Sequence, residues 1–173
     1  MRKAGFSNGS FSYKRLDIAM ARARLLLDTN ILFDFLNKRE PYYKDARKLL
    51  IAGRVGELSL WVAASQLTDV IYIASDGGKP ALIPQVLERL RLLRSFINVV
   101  AVSDVDIDKM FSTSWKDPED ALLFQVALKL RVDAIITRDA DFPASDYVKC
   151  FTCSQFFEWL EQEQGISYEE VLV

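Results

Sequence analysis

Four aspartates carry the chemistry open to this chain: Asp28 in LLLDTN, Asp69 in SQLTD, Asp120 in DPEDAL and Asp139 in IITRDADF. Carboxylates within about 4 Å of one another repel by several kcal/mol at an effective dielectric near 20, so a fold keeps such a cluster only with a cation to neutralise it. An all-oxygen donor set selects Mg²⁺ or Mn²⁺ over zinc. One or two such ions would polarise a phosphodiester, lower the pKa of a bound water and stabilise the leaving oxygen. Hydrolysis of a phosphodiester by a metal-activated water is the reaction these residues suggest.

Composition removes the competitors. There is no histidine in the 173 residues, which takes away the usual general base, the commonest zinc ligand and every Ser-His-Asp or Cys-His mechanism. Cys150 and Cys153 stand alone as C-x-x-C in KCFTCSQF, too few ligands for zinc and not placed after a strand as in redox proteins. They read as ordinary thiols of a reducing, cytoplasmic setting. A net charge of −2 and a pI near 5.3 argue against a strongly basic nucleic-acid surface. An ion in an acidic pocket can still contact phosphate where side chains do not. No stretch approaches the roughly 18 apolar residues of a membrane span, and residues 1–20 have no apolar core like that of a signal peptide.

The elements that must position the acids follow from apolar patterning. Arg24 to Leu27 and Ala134 to Thr137 are runs of branched apolar residues ending at Asp28 and near Asp139, which predicts buried parallel strands. Leu58 to Val62, Ile97 to Val102 (of the buried type) and Val148 to Phe151 read as three more. Helices are expected over Ile31 to Asn37, Tyr42 to Ala52 with Gly53 to Gly56 as its breaker, Ala64 to Ala74, Ile83 to Ser95, Asp104 to Phe111, Pro118 to Leu130 with Asp117 as cap, and Ser154 to Gln162. Alternating strands and helices predict an α/β fold, three-layer α/β/α on a central parallel sheet of four or five strands. In such sheets ligands bind beyond the carboxyl ends of the strands. One domain over 21–165 is expected, with a flexible extension over 1–20, a tail over 166–173, and Met20 as an alternative start.

Each acid also has a plain structural reading: Asp28 as a helix cap, Asp120 as a first-turn acid, Asp139 as a turn residue. Asp69, among Leu67, Val70 and Ile71, is costly unless exposed or paired. Asp104-Val-Asp106-Ile-Asp108 begins like a calcium loop, but Lys109 stands where Gly is required, so a solvated helix start is expected. Asp28 also begins a phosphatase-like pattern that lacks the second Asp, since position 30 is Asn. Arg89, Arg91 and Arg94 read as a solvated face.

The segments LLLDTNILFDFL, SQLTDVIYI and DPEDALLFQVALKLRVDAIITRDADF together resemble PIN-domain proteins, over about residues 24–160. The resemblance implies a Mg²⁺- or Mn²⁺-dependent ribonuclease, and VapC-type toxins of type II toxin-antitoxin pairs are among its small members. It assigns Asp28, Asp69, Asp120 and Asp139 as catalytic acids and metal ligands. Asp117 matches an additional ligand of a subgroup. The family's second acid is usually Glu, so Asp69 falls one methylene short. Asn30 and Thr137 match residues that orient the ligands. Lys38, Arg39, Lys116 and Arg138, near the expected crevice, would contact substrate. Implied partners are RNA, an antitoxin protein and a second copy, through the helices at Tyr42 to Ala52 and Ile83 to Ser95. The alternative is a degenerate PIN-like protein that only binds a protein partner.

Overall fold

The structure is a computed structural model that describes residues 22–143 and 145–168. Its elements run β1 (Arg24–Leu27), α1 (Thr29–Leu36), α2 (Tyr43–Arg54), β2 (Ser59–Ala63), α3 (Ala64–Ala74), α4 (Ile83–Arg94), β3 (Ile97–Val100), α5 (Asp104–Phe111), α6 (Pro118–Leu130), β4 (Ala134–Ile136), β5 (Lys149–Phe151) and α7 (Cys153–Gln164). The five strands form one sheet in the order β3-β2-β1-β4-β5, and every pairing is parallel. The three-layer α/β/α arrangement expected from patterning is present.

β1 is apolar throughout because helices cover both its faces. Leu25, Leu26 and Leu27 are all fully buried, yet alternate between two cores. Leu25 and Leu27 pack with Leu60, Ile136 and residues of α1, α2 and α7. Leu26 packs on the opposite face with Ile135 and with Leu123, Phe124 and Val126 of α6. The chain lays β2 and β3 on one side of β1, then returns to place β4 and β5 on the other. That reversal opens a crevice between the carboxyl ends of β1 and β4, where Asp28 and Thr137 to Asp139 emerge.

Several local expectations are corrected. Gly53 does not break α2: the helix continues to Arg54, and the glycine is there because a Cβ would sit 2.2 Å from Leu60 Cδ1 on β2. β3 is an edge strand with only Ile97 fully buried, so its apolar run does not mean burial on both faces. Asp106 is not solvated; it is 2 % exposed, accepts from Ser103 N and Oγ, and is paired with Lys129 of α6. The C-x-x-C does sit on a strand-to-helix junction, since Cys150 lies in β5 and Cys153 begins α7. Burial nonetheless pushes the two thiols up to about 11 and about 12, so neither is a reactive thiolate near neutral pH.

α2 spends Ala46, Leu49 and Leu50 on the internal core, leaving α4, with Leu87 and Leu92 exposed, as the better of the two expected contact helices. Tyr168, in the expected tail, packs its ring 5.4 Å from that of Phe157. The expected N-terminal extension lies outside the described residues, as do residues 169–173. Among the described residues no helix is long and apolar enough to cross a membrane.

Candidate active site

Asp28 follows β1 directly and is only 9 % exposed. Its carboxylate does not cap α1. Instead Oδ2 accepts from Asn30 Nδ2 at 2.5 Å and from Thr137 Oγ1 at 2.6 Å. Asn30 Nδ2 also reaches Thr137 Oγ1 at 3.2 Å, and Asn30 Oδ1 accepts from the Arg138 amide at 3.3 Å. Thr137 Oγ1 in turn accepts from the Asp139 amide at 3.0 Å. Two polar side chains, Asn30 and Thr137, following two adjacent strands, therefore hold one buried carboxylate in a single orientation.

Asp120 lies in the first turn of α6, where Asp117 Oδ1 accepts from the amides of Glu119 at 2.8 Å and Asp120 at 3.4 Å. Asp117 is thus a helix cap, as its plain reading has it. Burial first, then repulsion from Asp117, Asp139, Asp28 and Glu119, pushes the Asp120 carboxyl up to about 6. Burial also raises Asp28 and Asp139 adds to the rise, opposed by hydrogen bonding from Thr137 and the Thr29 backbone and by the charge of Arg138. Asp120 thus feels the charges of Asp28 and Asp139, and Asp28 that of Asp139, so the three lie near one another. Asp139 is exposed, and its Oδ1 accepts from the Asp141 amide at 2.9 Å.

Asp69 stands exposed on α3. The four-carboxylate cage expected from the sequence is not closed: among the described residues no three Asp, Glu or Cys side chains are placed to hold a metal ion directly. Asp69, where the resemblance implies a Glu, is one methylene shorter than that residue would be. The donor set still fits a hard divalent ion, because Mg²⁺ commonly takes one or two carboxylates and completes its shell with water and substrate phosphate.

The expected substrate cations fare unequally. Arg138 Nε donates to the buried Asp34 Oδ2 at 2.7 Å, and its guanidinium lies 4.6 Å from the Tyr42 ring centroid. That tie fixes Arg138 beside the crevice. Lys38, Arg39 and Lys116 are exposed. Three residues of the site went unread in the sequence. Glu119 is raised by burial and then by Asp28, Asp69 and Asp117. Its Oε1 accepts from Thr29 Oγ1 at 3.5 Å, and Thr29 accepts from the buried Gln66 at 3.4 Å. The only signal available was the second acid inside DPED, which a first-turn reading absorbs. A cavity of about 230 Å³ between α3, α4 and the sheet, lined by Leu67, Ile71, Leu87 and Leu90, contains no acid and is no place for this chemistry.

Asp28, Glu119 and Asp120 all hold protons more tightly folded than unfolded, so their neutral forms favour the fold. Metal-free protein should therefore lose stability as pH rises from about 4 through about 6, by about 1 kcal/mol once solvent screening is allowed for. Asp106, lowered to about 2, acts below that window. Melting temperatures in EDTA are expected to fall by about 2–4 °C across it, and saturating Mn²⁺ to flatten the fall by displacing protons. A melting temperature that climbs with pH in EDTA would contradict this account.

A family model described as PIN domain matches residues 24–141. Among solved structures, the chain is similar to VapC20 of Mycobacterium tuberculosis, described as a sarcin-ricin loop cleaving toxin, at 14 % identity and a TM-score of 0.55, covering 72 % of this chain and 97 % of that one. A toxin-antitoxin complex from Klebsiella pneumoniae aligns at 22 % identity and a TM-score of 0.53, over 70 % of this chain and 92 % of its own. VapBC2 from Rickettsia felis, bound to a DNA fragment of its promoter, aligns at 15 % identity and a TM-score of 0.54, over 73 % and 96 %. No curated protein matches the sequence.

Proposed function

This chain belongs to the PIN-domain family, and from that premise we propose that it is a Mg²⁺- or Mn²⁺-dependent endoribonuclease acting as the toxin of a type II toxin-antitoxin pair. The observation that carries the reading is Asp28: a buried carboxylate at the topological switch point, oriented by Asn30 and Thr137 and contributing no helix cap. Asp28, Asp120 and Asp139 would hold the ion, with Asp69 at the α3 edge. The ion supplies the positive charge that offsets the acids and that polarises the scissile phosphodiester. Asn30 and Thr137 would hold the Asp28 carboxylate in place for the ion, and the exposed Lys38, Arg39 and Lys116 would meet the flanking RNA phosphates. Arg138, held by Asp34, presents what remains of its guanidinium to the same side.

The test is cleavage of a mixed-sequence RNA by purified protein in Mn²⁺ and in EDTA, beside calorimetric titration of Mn²⁺. Cleavage in Mn²⁺ alone, with measurable binding, is expected. No binding at millimolar ion, with no cleavage, would reject the nuclease in favour of a protein-binding module. The toxin assignment predicts growth arrest on expression, relieved by a small protein encoded beside it. Solution size would report a homodimer through α4.

A further inference from the structure

The resemblance that assigns Asp69 also implies a longer Glu at that position, and Asp69 falls one methylene short of it. Glu119, itself exposed, stands at the start of α6 and has the longer arm. It is the second residue of α6, and its amide is pinned by Asp117 Oδ1 at 2.8 Å.

A directed set of hydrogen bonds aims its carboxylate. Gln66 is 3 % exposed on the first turn of α3, and its Oε1 accepts from the Ala63 amide at 2.8 Å. That contact fixes the amide's orientation, so Nε2 must donate, and it donates to Thr29 Oγ1 at 3.4 Å. A hydroxyl that accepts there has its own proton left to give. Thr29, 8 % exposed and adjacent to Asp28, gives it to Glu119 Oε1 at 3.5 Å, the long limit of such a bond. The relay requires Glu119 to be an acceptor, and it leaves Oε2 outside the relay. Its charged neighbours are Asp28, Asp69 and Asp117.

We infer that Glu119, delivered from α6 and oriented by Gln66 and Thr29, serves as the metal-site acid on the α3 side in place of the shortened Asp69. The ligand it would help hold is a hard divalent cation, directly or through a water. This rests on the nuclease reading of the same crevice.

The experiment is Mn²⁺ titration of the full chain, by calorimetry and by the electron paramagnetic resonance signal of free Mn²⁺, for wild type, Glu119→Gln, Glu119→Asp and Asp69→Asn. Melting in EDTA checks the fold of each. Glu119→Gln is expected to weaken Mn²⁺ binding about tenfold or more, a larger loss than Asp69→Asn gives. Glu119→Asp, which keeps the charge and loses the reach, should weaken it too. Adding Asp69→Glu to Glu119→Gln should recover binding, because it returns the missing arm from α3. Wild-type binding in Glu119→Gln, or a greater loss in Asp69→Asn, overturns the inference while leaving the nuclease reading standing. A wild type that binds no Mn²⁺ overturns both.

Discussion

Asp28→Asn should remove Mn²⁺-dependent RNA cleavage, by on the order of 10³-fold, while the protein melts in EDTA at an unchanged or higher temperature. Asn keeps the shape of the side chain and one carbonyl oxygen able to accept from Asn30 and Thr137, which now share the Asp28 Oδ2. What it removes is a negative charge that burial and Asp139 already make costly to carry. An ordinary structural carboxylate behaves in the opposite sense, since neutralising it gives up stability and leaves chemistry untouched. Gel-resolved cleavage and a melting curve on the same preparation separate the cases. Retained cleavage, or a clear drop in melting temperature with activity intact, would remove Asp28 from the centre of the mechanism.

How much of this was legible in the sequence depends on the range of the interaction that decides each feature. β1, α3 and α5 begin and end where patterning puts them, because their boundaries are set by neighbours in the chain: Asp28 after three leucines, Ser103 before Asp104. Gly53 misled because its reason lies across space, in the close approach of Leu60. Asp28, Asn30 and Thr137 could be named from the resemblance, but that Asp28 forgoes its cap for a threonine 109 positions away is a tertiary fact. Gln66 carried no signal, since a neutral amide at the start of a helix is unremarked until its partner Thr29 is in place. Asp34 did leave a trace, as the one acid between Leu32 and Leu36 on the buried stripe of α1, where a charge demands a partner.

Removing that partner is the largest stability change expected. Asp34 is 1 % exposed; Oδ2 accepts from Arg138 Nε at 2.7 Å, and Oδ1 has no hydrogen-bond partner among the described residues. Burial raises its carboxyl, and Arg138 is the main influence holding it down. Arg138→Met therefore strands a charge in the α1 core, at a cost of about 3–5 kcal/mol. The raised direction fixes the pH dependence: the neutral acid is tolerated, so the loss should be greatest above neutral pH and shrink as the solution is acidified. Asp34→Asn in the same chain should recover most of it, because no charge is then left to strand. Cleavage should fall as well and recover less, since the guanidinium that acts on Asp28 is absent from both variants. Urea unfolding of the single and double variants at an acidic and an alkaline pH measures all of this. A loss under about 1 kcal/mol at alkaline pH would mean that the pair behaves as a surface ion pair, and that solvent reaches Asp34.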